Sequence, residues 1–375
     1  MIRRVRMKVL RTSYRGCLLG LAVGDAMGYA VDSRSWQEIR EDYGPNGLLG
    51  YDVVNGYADI TSHTQLAAFT LNGLLLGMTR GQMTGKMAPF VKYIGLAQRE
   101  WAASQRPWGR PDRTFCWLMQ QPELCRRHCM DTRMLETLMR DPKRGHGTPE
   151  TPINTYSTPG ALCAAVGVGM FCDPERMEQE EIDWLGAEAV ALTHGSPSAF
   201  LAGAALAHLL GRVLRAPNAS LGLHIKETLE SMKRQYGHRF SQVYELCNLI
   251  QLAQSMAANP QIQPVAAMEQ LECWNGSQAL AGAIYACLRS GGDFDSAMIL
   301  AVNHSGRSAA VGAVTGAILG ARLGEEALPE FYVECLEPAE LLRELSDDLY
   351  NGCPMELGNR LFDLDWDRKY LHGGR

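Results

Sequence analysis

The sequence predicts an all-α fold, and three observations carry that expectation. Segments with apolar residues at helical spacing follow one another along the 375 residues. The apolar–polar alternation of a half-buried strand is absent throughout. Glycine also recurs every fourth residue in two places, at 16, 20, 24 and 28 and again at 312, 316, 320 and 324. On a helix that spacing stacks the glycines on one face. Glycine weakens a helix by roughly 1 kcal/mol relative to alanine, so each stripe implies close approach of another backbone. The two striped helices are expected to share one core, side by side. Small-residue stripes also pack helices in membranes, but no apolar run is expected to reach the ~18 residues needed to span a bilayer.

Taken in order, residues 14–30 form the first striped helix. Asp25 lies inside it beside Gly24, and a carboxylate on a packed face needs partners. It either caps a neighbouring loop or orients a site. Asp32 follows where the helix ends. Ser35-Trp36-Gln37-Glu38 reads as a capping box opening a short helix, and Tyr43 to Gly47 as a turn. Thr61 or Ser62 is placed to cap a helix carried by Leu66 to Met78. That puts His63 in a capping or first-turn position, with Thr64 and Gln65 beside it.

A helix over 88–103 leads to a polar connection, 105–113. Short helices at 115–119 and 132–139 flank Pro122 to Arg127. Asp141 to Thr155, rich in Pro, Gly, Lys and Thr, is the candidate mobile loop and a candidate lid. Helices follow at 159–171, 178–193, 199–214, 219–234, 239–256, 275–289 and 293–303. Thr193 to Ser198 interrupts the pattern and caps the apolar helix after it. Asp293 and Asp295 are helix caps rather than metal ligands. The polar stretch Asn303 to Ser308 precedes the second striped helix, whose first N–H groups are free to hold a ligand or anion. A late helix spans 338–350, with Pro338 in its first turn. No linker divides the chain. One domain is expected over 14–352, with a basic lead-in at 1–13 and a C-terminal tail at 353–375.

An apolar fraction of 46% fits a globular chain with a sizeable core. The net charge of -5, with no run of one sign beyond the opening Met1 to Arg11, disfavours nucleic acid as the main partner. The eleven cysteines are scattered and form no Cys-x-x-Cys. Cys125, His128 and Cys129 lack a second ligand pair for zinc. Free thiols in a reducing cytoplasm are the expectation.

Several motifs together carry a resemblance. They are Gly16-x-x-x-Gly20-x-Ala22-x-Gly24-Asp25-Ala26-x-Gly28, Tyr43-Gly44-Pro45-x-Gly47 and Thr193-His194-Gly195. The last is Asn303-His304 with Gly306, running into the second glycine stripe. From about Tyr14 to Gly352 the chain resembles the ADP-ribosylglycohydrolase family, which includes the dinitrogenase reductase activating glycohydrolase. The resemblance implies a single compact multi-helix bundle with a central cleft for ADP-ribose. It also implies two magnesium ions in that cleft that activate water for glycosidic cleavage. The ligand-binding set expected here is Asp25, Asp32, Thr61, Ser62, His63, Asn154, Gly160, His194, Asn303, Gly306, Arg307 and Ser308.

Departures from the family's pattern change the expected chemistry. Thr61-Ser62-His63-Thr64-Gln65 stands where the family has Thr-Asp-Asp-Thr-Gln. Gly306-Arg307-Ser308-Ala309-Ala310-Val311-Gly312 stands where it has Gly-Asp-Ser-Asp-Ser/Thr-x-Gly. Cys163-Ala164 replaces a Met-Arg pair, Gly167 a proline, and Ser196 and Ser198 a His and an Asp. Asp32 occupies the place of a ribose-side glutamate. Of the family's metal positions (Thr61, Ser62, His63, Arg307, Ala309, Ala310), only Thr61 keeps its oxygen ligand, and magnesium wants several, carboxylates among them. At about 4 Å an arginine would also repel a divalent ion by several kcal/mol at an effective dielectric of about 20. No cofactor is expected.

Two roles stay open for Arg307: forking onto a phosphate or ribose hydroxyl, or pairing with Asp25, Asp32 or Asp59 as a plug. His63 is a proton-transfer candidate, with capping or surface placement the plainer alternative. The expectation is a metal-depleted pseudoenzyme that binds ADP-ribose, a related nucleotide or an ADP-ribosylated protein, with no membrane partner. The rivals are a metal-independent hydrolase using Asp32 as base and Arg307 to stabilise charge, and a structural protein with an empty cleft.

Overall fold

A computed structural model describes residues 10–53, 56–106, 113–128, 131–140, 145–173, 176–356 and 362–374. Among them the chain forms eighteen α-helices and no strand. In order these are α1 (Arg11–Tyr29), α2 (Trp36–Tyr43), α3 (Ser62–Thr84), α4 (Phe90–Ser104), α5 (Pro122–Cys125) and α6 (Thr132–Leu138). Next come α7 (Leu162–Phe171), α8 (Gln179–Ala191), α9 (Pro197–Arg215), α10 (Leu221–Tyr236), α11 (Gln242–Ala258) and α12 (Pro264–Leu271). The last six are α13 (Gly276–Arg289), α14 (Phe294–Val302), α15 (Ser308–Leu323), α16 (Glu330–Glu334), α17 (Ala339–Asn351) and α18 (Leu364–Tyr370). The all-α expectation holds.

The two glycine stripes meet. A methyl on Gly16 would stand 2.3 Å from the Gly320 carbonyl oxygen, on Gly20 2.3 Å from that of Gly316, and on Gly24 1.9 Å from that of Gly312. On Gly28 it would stand 2.3 Å from the Ser308 oxygen. The pairing runs from 16 against 320 to 28 against 308, so α1 and α15 are antiparallel, backbone on backbone, and both are almost wholly buried. Gly16, Gly20, Gly24 and Gly28 on one side and Gly312, Gly316 and Gly320 on the other must be glycine, because a Cβ there would enter the partner's backbone. This pair places the C-terminus of α1 beside the N-terminus of α15, where the polar residues gather.

Helix ends follow the expected caps at several points. Ser35 and Glu38 close a reciprocal capping box on α2. The Thr61 hydroxyl accepts the His63 N–H to start α3, and Asp293 Oδ1 accepts the Ser296 N–H to start α14. Other expectations need correcting. Ser196 precedes α9 without a side-chain cap, its hydroxyl turned to that of Ser198 at 3.0 Å. Pro338 sits just outside α17 rather than in its first turn. The stretch 115–119 gives a 3₁₀ turn at Trp117–Gln120 instead of an α-helix. Helix α9 is long and apolar enough to cross a bilayer, against expectation, but 83% of its apolar stretch is buried inside the bundle.

Short helices α5, α12, α16 and α18 were not foreseen, each having too few turns to show a stripe. Helix α18 lies within the expected tail and is packed on the bundle. Trp366 Nε1 donates to Thr79 Oγ1 of α3 at 2.9 Å, and the Tyr370 hydroxyl to Asp348 of α17 at 2.7 Å. The expected mobile loop 141–155 is packed over part of its length. Gly147 lies against the Ala191 carbonyl and Asn154 is clamped at 193–195, while residues 141–144 lie outside the described residues. So do Met1 to Val9 of the lead-in and Cys129.

Candidate functional site

Two carboxylates organise the region where α1, α3 and α15 converge. The first, Asp25, is fully buried in α1. Its Oδ1 accepts the Thr61 hydroxyl at 2.6 Å. Its Oδ2 accepts the Thr61 N–H at 2.8 Å, the Thr64 N–H at 3.1 Å and the Thr64 hydroxyl at 2.6 Å. Four donors from the start of α3 thus close on one anion, where the unpaired N–H groups of a helix favour negative charge. Burial alone would push the Asp25 carboxyl up, but hydrogen bonds and charge from His63, with those from Thr61 and Thr64, hold it below the usual carboxylate range.

His63 Nδ1 lies 2.7 Å from Thr61 Oγ1 and 3.3 Å from Asp25 Oδ1. The Thr61 proton is committed to Asp25, so Nδ1 must carry its own hydrogen and donate. In the neutral ring that leaves Nε2 as a lone pair, buried and without a partner among the described residues. Ser62 is buried beside it, 3% exposed. His63 is therefore not on the surface.

The second carboxylate, Asp32, caps α15 from outside. Its Oδ1 accepts the Ala309 N–H at 3.1 Å. Its Oδ2 accepts Arg307 Nε at 3.0 Å and the Ser33 hydroxyl at 3.2 Å. Of the two roles open for Arg307, the internal pair is formed, with Asp32 and not with Asp25 or the exposed Asp59. The side chains of Arg307 and Asp32 are 21% and 13% exposed, so this corner reaches the surface. As a free general base Asp32 is poorly placed, since both oxygens already hold donors.

The other expected ligand residues divide. Asn303 is a structural pin. Its Oδ1 accepts the Leu48 N–H and its Nδ2 donates to the Leu48 and Ile299 carbonyls, all at 2.8 Å. Asn154 is another, accepting from the Tyr156 and Gly195 N–H groups and donating to the Thr193 carbonyl. Gly306 accepts the Ser33 N–H, and Ser308 is fully buried.

His194 is fully buried, with Nε2 2.8 Å from Thr158 Oγ1 and Nδ1 2.9 Å from Thr193 Oγ1. Thr158 donates onward to Asp131 at 3.1 Å. Gly160 borders this ring, since a methyl there would stand 3.7 Å from His194 Nε2. Thr158, Asp131 and Ser33 were not anticipated, and no spacing in the sequence marks them.

Burial pushes both His194 and His304 down to about 4. Each binds a proton more weakly folded than unfolded, where imidazole titrates near 6.5. Their contribution to stability is therefore complete above about pH 6.5 and is lost as pH falls through that value toward 4. By pH 5 the loss amounts to about 2 kcal/mol for each histidine. Denaturant titrations at pH 7.5 and 5 check this. A fall that is no smaller in the variant carrying His194→Asn and His304→Asn would refute the assignment.

A family model for ADP-ribosylglycohydrolase matches residues 7–357. The chain belongs to the ADP-ribosylglycohydrolase family. A solved structure described as an ADP-ribosylglycohydrolase-related protein complex is similar in fold, with a TM-score of 0.57 at 24% identity. The similarity covers 91% of this chain and 98% of that one. No curated protein matches.

A magnesium pair does not fit the residues present in this family member. The oxygens of Asp25 and Asp32 are taken up by donors, Ala309 and Ala310 bring no side-chain oxygen, and a guanidinium stands at the head of α15. Among the described residues, no group of three or more His, Cys, Asp or Glu side chains could hold a metal ion.

Proposed function

We propose that this ADP-ribosylglycohydrolase-family chain is a metal-depleted pseudoenzyme that binds an ADP-ribose-like ligand, free or attached to a protein. The Arg307–Asp32 pair carries this reading, because a cation and a capped carboxylate stand together at a corner that reaches the surface. A guanidinium there favours an anionic ligand over a divalent ion. Hydrolysis with Asp32 as base is the weaker reading, since the carboxylate would first have to release Arg307, Ser33 and the α15 N–H. One observation favours a purely structural role: His63, His194, His304, Thr61, Ser62 and Asn303 are all buried, and Asp25, Asn303 and His194 are held by hydrogen bonds within the protein.

Calorimetry with ADP-ribose, with and without magnesium chloride, separates these readings. The expected result is micromolar or tighter binding, within twofold in the two conditions, and no turnover of ADP-ribosylated arginine or serine. Turnover abolished by Asp32→Ala would overturn the pseudoenzyme in favour of the hydrolase. Absence of both binding and turnover would leave the structural role.

A further inference from the structure

We infer that the head of α15 is a binding site for a phosphate monoester, a group that ADP-ribose itself lacks. The inference rests on the metal-free reading above but not on ADP-ribose itself: the ligand this corner takes is a related sugar or nucleotide that ends in a phosphate monoester.

Arg307 supplies the first observation. Its Nε edge is fixed on Asp32, while its two Nη nitrogens have no hydrogen-bond partner among the described residues, and the side chain is 21% exposed. A guanidinium anchored on one edge and open on the other is a pre-oriented fork for phosphate oxygens. Directly behind it, the Ser308 and Ala310 N–H groups at the start of α15 have no acceptor among the described residues. Four donors at one turn thus lack an acceptor, the two guanidinium nitrogens near the surface and the two N–H groups on the fully buried Ser308 and Ala310.

Buried lone pairs beside the same turn supply the second, independent observation. His304 is 1% exposed. Its Nε2 lies 3.0 Å from the Ala301 carbonyl, which can only accept, so Nδ1 carries no hydrogen. That Nδ1 has no partner among the described residues and would lie 2.8 Å from a methyl on Gly306. His63 Nε2 is a second buried ring nitrogen without a partner among the described residues, held through Asp25 on the turn of α1 between Gly24 and Gly28. Those two glycines are the ones that contact Gly312 and Ser308 of α15.

The occupant must therefore bring several acceptors and at least one donor. A phosphate diester offers two non-bridging oxygens and no proton. A sugar hydroxyl offers one donor and no charge. A phosphate monoester has three terminal oxygens and titrates near pH 6, so its monoanion keeps a P–OH that can meet an imidazole lone pair. The backbone is braced for this. The three non-glycine residues at positive φ among those described, Ser33, Glu272 and Cys273, all pack on Gly306–Arg307. Such strain persists where neighbours over-determine it and gathers at ligand clamps.

The test is calorimetry on the full chain without divalent metal, using ribose 5-phosphate, ribose and ADP-ribose as probes. Ribose 5-phosphate should bind at least tenfold more tightly than ribose. Arg307→Gln should weaken it tenfold or more, and Arg307→Lys less, since a point charge remains. Thermal melts establish that each variant is folded. Equal affinity for ribose and ribose 5-phosphate, or indifference to Arg307→Gln, overturns the inference. If ADP-ribose still binds in that case, the metal-free reading stands alone. If ribose 5-phosphate binds and ADP-ribose does not, the site stands and the ADP-ribose reading falls.

Discussion

Gly24→Val is expected to destroy cooperative folding. Its Cβ would sit 1.9 Å from the Gly312 oxygen and 2.3 Å from the Gly312 carbon, both backbone atoms that no rotamer change can move. Overpacking a core commonly lowers stability by 1–3 kcal/mol. Here two helix axes must separate along their whole shared face, so a loss of at least ~3 kcal/mol is expected, measured by urea unfolding. Gly312→Val attacks the same contact from the other side, with 2.2 Å to the Gly24 oxygen, and should do equal damage. Gly222→Ala is the control. It lies in α10 with nothing within 4 Å of the added methyl, and should be neutral or stabilising by up to ~1 kcal/mol. A Gly24→Val protein as stable as the control would mean the helices are not in backbone contact.

Asp25→Ala comes next in size. It strips the shared acceptor from two N–H groups and two hydroxyls at the start of α3, all buried. Removing one partner from a buried charged network typically costs 3–5 kcal/mol, because the groups left behind are stranded without water. Thr64→Val removes a single hydroxyl from the same anion and should cost about 1–2 kcal/mol. The Asp25 loss should also shrink in acid. A carboxyl held below its ordinary range contributes stability above that range and loses it as pH falls through the folded value. Equal losses for the two variants at neutral pH would show that Asp25 is not the hub.

The glycine stripes were legible in the sequence because a period of four has one geometric meaning on a helix, and they gave both the shared core and the direction of the search. The caps of α2, α3 and α14 were legible for the same reason, since a cap is local. What stayed hidden depended on contacts between distant residues. Asn303 reads as a ligand group but is spent on Leu48, 255 positions away. Asn154 is spent on residues 193–195 in the same way. Arg307 had three possible acidic partners by sequence, and only the fold chose Asp32. The lone pairs on His63 and His304 follow from which neighbours can donate, which no spacing records. Helix α18 escaped notice because seven residues at the chain's end show no period, although Trp366 and Tyr370 are buried.

The antiparallel embrace of α1 and α15 has a consequence for how the protein is made. One half of it, Arg11–Tyr29, is translated before the other. The other half, Ser308–Leu323, follows about 280 residues later. At about 5–20 residues per second the early helix waits roughly 15–60 s for its mate. During that wait its bare peptide face has nothing to lie against. Nascent chains halted short of residue 308 should therefore engage chaperones along their opening segment, and release from them should coincide with emergence of the late helix.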